Sequence, residues 1–164
     1  MPVLDASHDF AHEVEGDSAW SESYYFNAYD PAVDAGLFTR IGVRPNEGTI
    51  DVGLSVWLPG DRIGNVRAIR EQTVMTDSDL DVGGVRYERL EPMRRWRLTA
   101  DAEAEVHDLA GDVTPGSGRP GHLTVDLTFT SLIPAIGTDG ARRERRSDDS
   151  AASTATTVGK GHLE

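Results

Sequence analysis

The chain has 164 residues, a formal net charge of −12, a pI of about 4.7 and 38% hydrophobic residues. That length suits one domain with a sizeable core, and the acidity disfavours nucleic-acid phosphates and anionic lipid as partners. Cysteine is absent, which removes disulfides, thiolate metal sites and a cysteine nucleophile.

Residues 1–18 read as an acidic N-terminal arm. Asp5, Asp9, Glu13, Glu15 and Asp17 crowd it, and no Lys or Arg precedes Arg40. Such a run is expected to be solvated, with room for one helical turn. It has neither a basic n-region nor an apolar h-region, so it is not a secretory signal, and no stretch approaches the length of a membrane span. A cytoplasmic location is the expectation. His8 and His12 would share one face of a helix, with Asp9 and Glu13 as oxygen donors, but no third ligand is evident and no metal site is assigned.

From Trp20 the period becomes two. Tyr24, Tyr25, Phe26 and Tyr29 form an aromatic strand over 20–29. Alternation puts Tyr25, Asn27 and Tyr29 on one face and Tyr24 and Phe26 on the other. One set then lines an interior, either as ordinary core or as the wall of an apolar ligand site. Further strands are expected at 36–44, 49–58, 66–76, 79–82, 85–90, 94–100, 103–109 and 122–132. Ile50, Val52, Leu54, Val56 and Leu58 alternate with polar or small residues and with Trp57, as Leu123, Val125, Leu127 and Phe129 do with polar ones. Pro45-Asn46-Glu47-Gly48 and Pro59-Gly60-Asp61 mark turns, Gly83-Gly84 a two-residue hairpin, and Asp101 a further turn. No long stretch carries a helical stripe. The pattern predicts an all-β, antiparallel barrel or a strongly curved sheet.

Several local runs admit chemical readings. Gly116-Ser117-Gly118-Arg119-Pro120-Gly121 matches GxGxxG, but prolines flank it and an alternating strand follows, so it reads as a hairpin loop. His107 and His122 border that loop, with Asp126 beyond; without a nucleophile they read as surface or hairpin histidines. In Glu91-Pro92-Met93-Arg94-Arg95-Trp96-Arg97-Leu98, an arginine beside Trp96 can stack on it or pair with Glu88 or Glu91, and a structural clasp is the reading. After Ile136 the composition turns to Arg, Asp, Ser, Ala and Thr. Residues 137–157 are read as a flexible linker or loop, and 158–164 as a strand that begins and stops.

Four of these runs recur in order in a known family. Trp20-Ser21-Glu22-Ser23-Tyr24-Tyr25-Phe26, Arg44-Pro45-Asn46-Glu47-Gly48, Val56-Trp57-Leu58-Pro59 and Glu91-Pro92-Met93-Arg94-Arg95-Trp96 resemble the N-terminal half of AttH and hydroxyneurosporene synthase type tandem lipocalin-like proteins. The resemblance spans roughly 19–136. It implies a lipocalin-like β-domain there and a second such half as the partner of this one. It also implies kinship with carotenoid hydratases, which add water to isolated isoprenoid double bonds. The Arg-Asp-His-Ser-Trp-Gly type segment of the relatives' second half has no counterpart here, so no catalytic residue is carried over.

Binding of a hydrophobic small molecule inside the barrel is the first functional expectation, with Tyr25, Asn27, Tyr29, Trp57 and Trp96 as candidate ligand-binding residues and no cofactor. A hydratase or cyclase acting on an isoprenoid- or polyketide-like alkene is the second. It needs a buried carboxylic acid, to be sought among Glu22, Asp51, Glu71 and Asp126. A companion barrel for the second half is the third, and it predicts an exposed apolar patch.

Overall fold

The computed structural model describes residues 4–135; the linker read at 137–157 and the strand start read at 158–164 lie outside them. After a 3-10 turn at Ala6–Asp9 come eight strands: β1 (Glu22–Asp30), β2 (Ala35–Arg44), β3 (Thr49–Leu58), β4 (Arg62–Glu71), β5 (Asp81–Val82), β6 (Val85–Glu91), β7 (Arg95–Asp108) and β8 (Arg119–Thr130). All pairings are antiparallel within one sheet. The architecture is all-β and consistent with a curved, lipocalin-like sheet. Among the described residues, no helix is long and apolar enough to cross a membrane.

Strands β1 to β4 form a meander in sequence order. β7 then serves three neighbours. Its stretch Glu105–Asp108 pairs with β4, and Arg95–Ala100 pairs with β6. Because β8 pairs with both stretches, β4 and β6 must share the opposite edge of β7. The sheet therefore turns a corner along β7, and the β5–β6 hairpin folds over the inner face of β3 and β4. The hairpin tip needs both its glycines. Gly83 and Gly84 have φ of +60° and +81°, the left-handed pair of a two-residue turn. A side chain at Gly83 would strike Ala68 Cβ, and one at Gly84 would strike the Asp101 carbonyl.

Two strand expectations are corrected. The fourth strand runs Arg62–Glu71 rather than 66–76: it starts early because Gly60 and Asp61 both take left-handed φ and close the turn so that Arg62 faces Leu58, and 72–76 lie beyond it. The turn at Asp101 does not exist. β7 runs unbroken for 14 residues, and Asp101 pairs with Thr124 inside it. Alternation continues through that point, with Ala100, Ala102 and Ala104 facing inward and Asp101 and Glu103 outward. The 109–118 segment is the β7–β8 hairpin loop, so the GxGxxG run leads into a strand.

The barrel does not close. β1 and β8 are both edges, with no backbone ladder between them. Between the layers lies one apolar core. β1–β4 contribute Tyr24, Leu37, Ile41, Val43, Ile50, Val52, Leu54 and Val66; β5–β8 contribute Val82, Val85, Tyr87, Trp96, Leu98 and Leu123, joined by Leu80. Aromatic rings knit the layers together. Phe26 lies 5.3 Å from Tyr87, 5.6 Å from Trp96 and 4.9 Å from Phe129 between ring centroids. The buried hydroxyls of Thr39 and Tyr87 meet at 2.6 Å, so neither is left without a partner.

Candidate functional site

Three features on this frame bear on function. The first is a buried charge cluster that docks the N-terminal segment. Along β6, Val85 and Tyr87 face the core, so period two also sends Arg89 inward. Its guanidinium lies over the rings of Phe10 (4.3 Å) and Trp96 (4.7 Å), and its Nε is 3.2 Å from Asp9 Oδ2. A terminal nitrogen of Arg89 donates to the Asp9 carbonyl (2.6 Å) and to Asp77 Oδ1 (3.1 Å). Asp9 is itself buried, and its Oδ2 accepts from Trp96 Nε1 (3.1 Å) and from the backbone N–H of Met93 (2.9 Å). The Tyr24 hydroxyl and the Ala11 amide donate to Asp77 Oδ1 at 2.7 and 2.8 Å.

The acidic arm is therefore docked through Leu4 and Asp9, which are buried, while Asp5, Glu13, Glu15 and Asp17 stay exposed, as its composition leads one to expect. Besides these contacts, Leu4 donates to the Ala135 carbonyl, His12 Nδ1 meets Glu22 Oε2 at 2.7 Å, and Asn46 donates to the carbonyls of Glu15 and Asp17. The segment straps across the β1/β6/β7 end of the interior. In the expected clasp run Arg94 does pair with Glu91, at 3.7 Å on the surface, and Arg95 is exposed; the buried clasp on Asp9 is made by Arg89. Leu4 and Phe10 were the apolar signals inside the arm.

Burial alone would raise the Asp77 carboxyl, but hydrogen bonds from Tyr24, Ala11 and Arg89 outweigh it and hold the group below its ordinary value of 3.8. A depressed carboxyl stabilises the fold above its unfolded value, and that contribution is lost as pH falls through the folded one. The Ala11 amide resonance is accordingly expected to hold constant down to about pH 4 and to move below it. In Asp77→Asn that acid-dependent movement should be absent. Burial and the hydrogen bond to Asp77 push the Tyr24 hydroxyl up, so it remains a donor across the neutral range.

The second feature is the seam between β1 and β8. Phe26 and Ala28 on β1, and Val125, Leu127 and Phe129 on β8, face inward and pack on the core, yet all five remain partly exposed. On the neighbouring β7, Val125 faces Ala100, Leu127 faces Leu98 and Phe129 faces Trp96.

The third is the outer face of β1–β4, where the structure places four of the five sequence-predicted ligand residues. Tyr25, Asn27 and Tyr29 point outward, with the Tyr25 ring 4.8 Å from that of Phe38. Trp57 is 40% exposed on β3. The inward set of β1 is Tyr24 and Phe26. Trp96 alone of the five lies inside, at 6% exposure, touching Tyr24 and Phe26. Tyr25, Asn27, Tyr29 and Trp57 thus do not line the interior. The choice of face on β1 was open in the alternation, and the inward row Tyr24, Phe26, Ala28 is the one without an amide.

The candidate acids are engaged. Glu22 is buried and held by His12, Asp51 pairs with Arg40 and Arg44, and Asp126 takes a two-pronged hydrogen bond from Arg97. Glu71 is exposed. His107 is buried with Nδ1 3.1 Å from the Asp112 carbonyl, and exposed His122 sits between Asp101 and Glu103, which raise its pKa. His122 and Asp126 form no pair: Asp126 is taken by Arg97.

The sequence profile of a domain of unknown function, DUF7064, matches residues 5–164. The chain belongs to the DUF7064 family. No curated protein and no solved structure matches it. The DUF7064 match begins at Asp5, so it includes the strap as well as the sheet. In this DUF7064 domain, the strap closes one end of the interior and the seam leaves apolar side chains partly open to water.

Proposed function

We propose that the domain binds a hydrophobic small molecule, which enters the interior between β1 and β8. The observation that carries this reading is the partial exposure of Phe26, Ala28, Val125, Leu127 and Phe129 on the inner face of two unpaired edges. Inward apolar surface left wet forgoes about 25 cal/mol for each Å². A lipophilic molecule seated there removes that penalty. Parting the seam breaks ring and methyl contacts but no backbone ladder.

Alkene hydration is less well supported. It requires a neutral buried acid, whereas hydrogen bonds hold the Asp77 carboxyl below its ordinary value, Asp9 Oδ2 accepts from Met93 and Trp96, and Glu22 Oε2 is engaged by His12.

The test uses Trp96 as reporter in a Trp20→Phe, Trp57→Phe background. Titration with farnesol is expected to change the Trp96 emission saturably. Leu127→Asp, which puts a charge on the apolar wall, is expected to weaken binding by about tenfold or more. Thr128→Asp, on the outward side of the same strand, should leave it unchanged. An emission that never saturates, or equal effects of the two aspartates, would refute the proposal.

A further inference from the structure

We propose that the outer face of β2–β4 carries a second, separate site, centred on Gly53, for a flat organic carboxylate. Glycine in the middle of a strand costs about 0.5–1 kcal/mol relative to alanine and needs a reason. At Gly53 the usual reasons fail. It has no left-handed φ, and a Cβ built on it meets no atom within 4 Å. Its missing side chain relieves no clash inside the protein. It leaves a bare floor.

The walls give that floor its chemistry. Arg40 on β2 and Arg67 on β4 are the direct cross-strand neighbours of Gly53. Arg40 is drawn aside over Gly42, donating to Ser23 Oγ (2.8 Å) and Asp51 Oδ2 (3.0 Å). Arg44 pairs with Asp51 too. Arg67 is exposed and has no hydrogen-bond or ion-pair partner among the described residues. Phe38 and Ile69 border the same depression, which has a volume of about 480 Å³ and reaches Ser55. That volume falls within the usual range for small-molecule sites.

The balance of charge selects the ligand. Two guanidiniums and one carboxylate line the depression, and that carboxylate is paired with Arg44 as well as Arg40, on a chain whose net charge is −12. Arg67 offers a planar fork that matches a carboxylate in two hydrogen bonds. Gly53 admits a flat ring against the backbone, and Phe38 and Ile69 cover its edges. The structure therefore assigns to this face an aromatic carboxylate, bound by Arg67 and stacked over Gly53.

The probe is 2-naphthoate, with neutral 2-naphthylmethanol as control, followed by residue-resolved NMR of the amide and arginine side-chain signals. Naphthoate is expected to shift the Gly53 amide and the Arg67 Nε–H saturably, and the alcohol to do so at least about tenfold more weakly, as expected when a charge-assisted pair is missing. Arg67→Gln should weaken naphthoate binding to a similar degree. Gly53→Val should abolish it while leaving the melting temperature unchanged or higher, because valine suits a strand and meets empty space. Absence of shifts at Gly53 and Arg67, equal binding of the alcohol, or a Gly53→Val protein that still binds would overturn the site. Shifts confined to Val125 and Leu127 would place the probe in the seam, and that too would count against this site.

Discussion

Replacing Arg89 by methionine is expected to lower the stability of the domain by about 3–5 kcal/mol, measured as a shift in the urea unfolding curve. Breaking a buried pair by removing one partner leaves the other charge uncompensated, and here two carboxylates share one cation. Methionine retains much of the stem volume over Phe10 and Trp96, so the loss reports on charge and hydrogen bonding more than on packing. The strap should detach with it. Amide signals of residues 5–17 should sharpen toward those of a mobile chain while the β2–β3 signals stay in place. Lysine at this position is expected to rescue little, since a single ammonium cannot reach Asp9, its carbonyl and Asp77 together or lie flat between two rings. A methionine variant within about 1 kcal/mol of the parent would place Arg89 among the salt bridges that contribute little.

Trp96→Ala is expected to cost about 3–5 kcal/mol, and Trp96→Phe about 1–3 kcal/mol, in the same unfolding assay. The difference separates two jobs of one side chain. The ring fills the core between Tyr24 and Phe26, and Nε1–H satisfies buried Asp9. Phenylalanine keeps most of the first and loses all of the second. In an Asp9→Asn background the penalty of Trp96→Phe should shrink, because an amide oxygen asks less of its donor than a carboxylate does. An undiminished penalty would mean that ring shape alone is at stake.

Much of the fold was legible in the sequence because period-two hydrophobicity is set by the pleat. Ile50 to Val56 and Leu123 to Phe129 alternate cleanly, and both lie on strands with one face on the core. Gly83-Gly84 announced its hairpin, since few residues tolerate two left-handed φ angles in succession. The continuity of β7 was obscured because its inward residues beyond Leu98 are alanines, which carry little hydrophobic signal. At the N-terminus composition misled for one residue. Asp5, Glu13, Glu15 and Asp17 are exposed, but Asp9 is buried, and what fixes it is an arginine 80 residues away. A signal was present in the alternation of Val85, Tyr87 and Arg89, which sends a cation inward and so requires a buried acid. On β1, alternation separates two faces but does not say which one is inside; the packing of Phe26 on Phe129 decides it. The seam itself left no local trace, because it is formed by the first and last strands meeting without pairing.

The most direct measurement of the seam proposal is a set of intermolecular NOEs between farnesol and methyl-labelled protein. Contacts from the isoprenoid chain to the methyl groups of Ala28, Val125 and Leu127, with none to Ile69 or Ile133, are the predicted result. NOEs to surface methyls alone, with the Val125 and Leu127 signals unmoved at saturation, would contradict it.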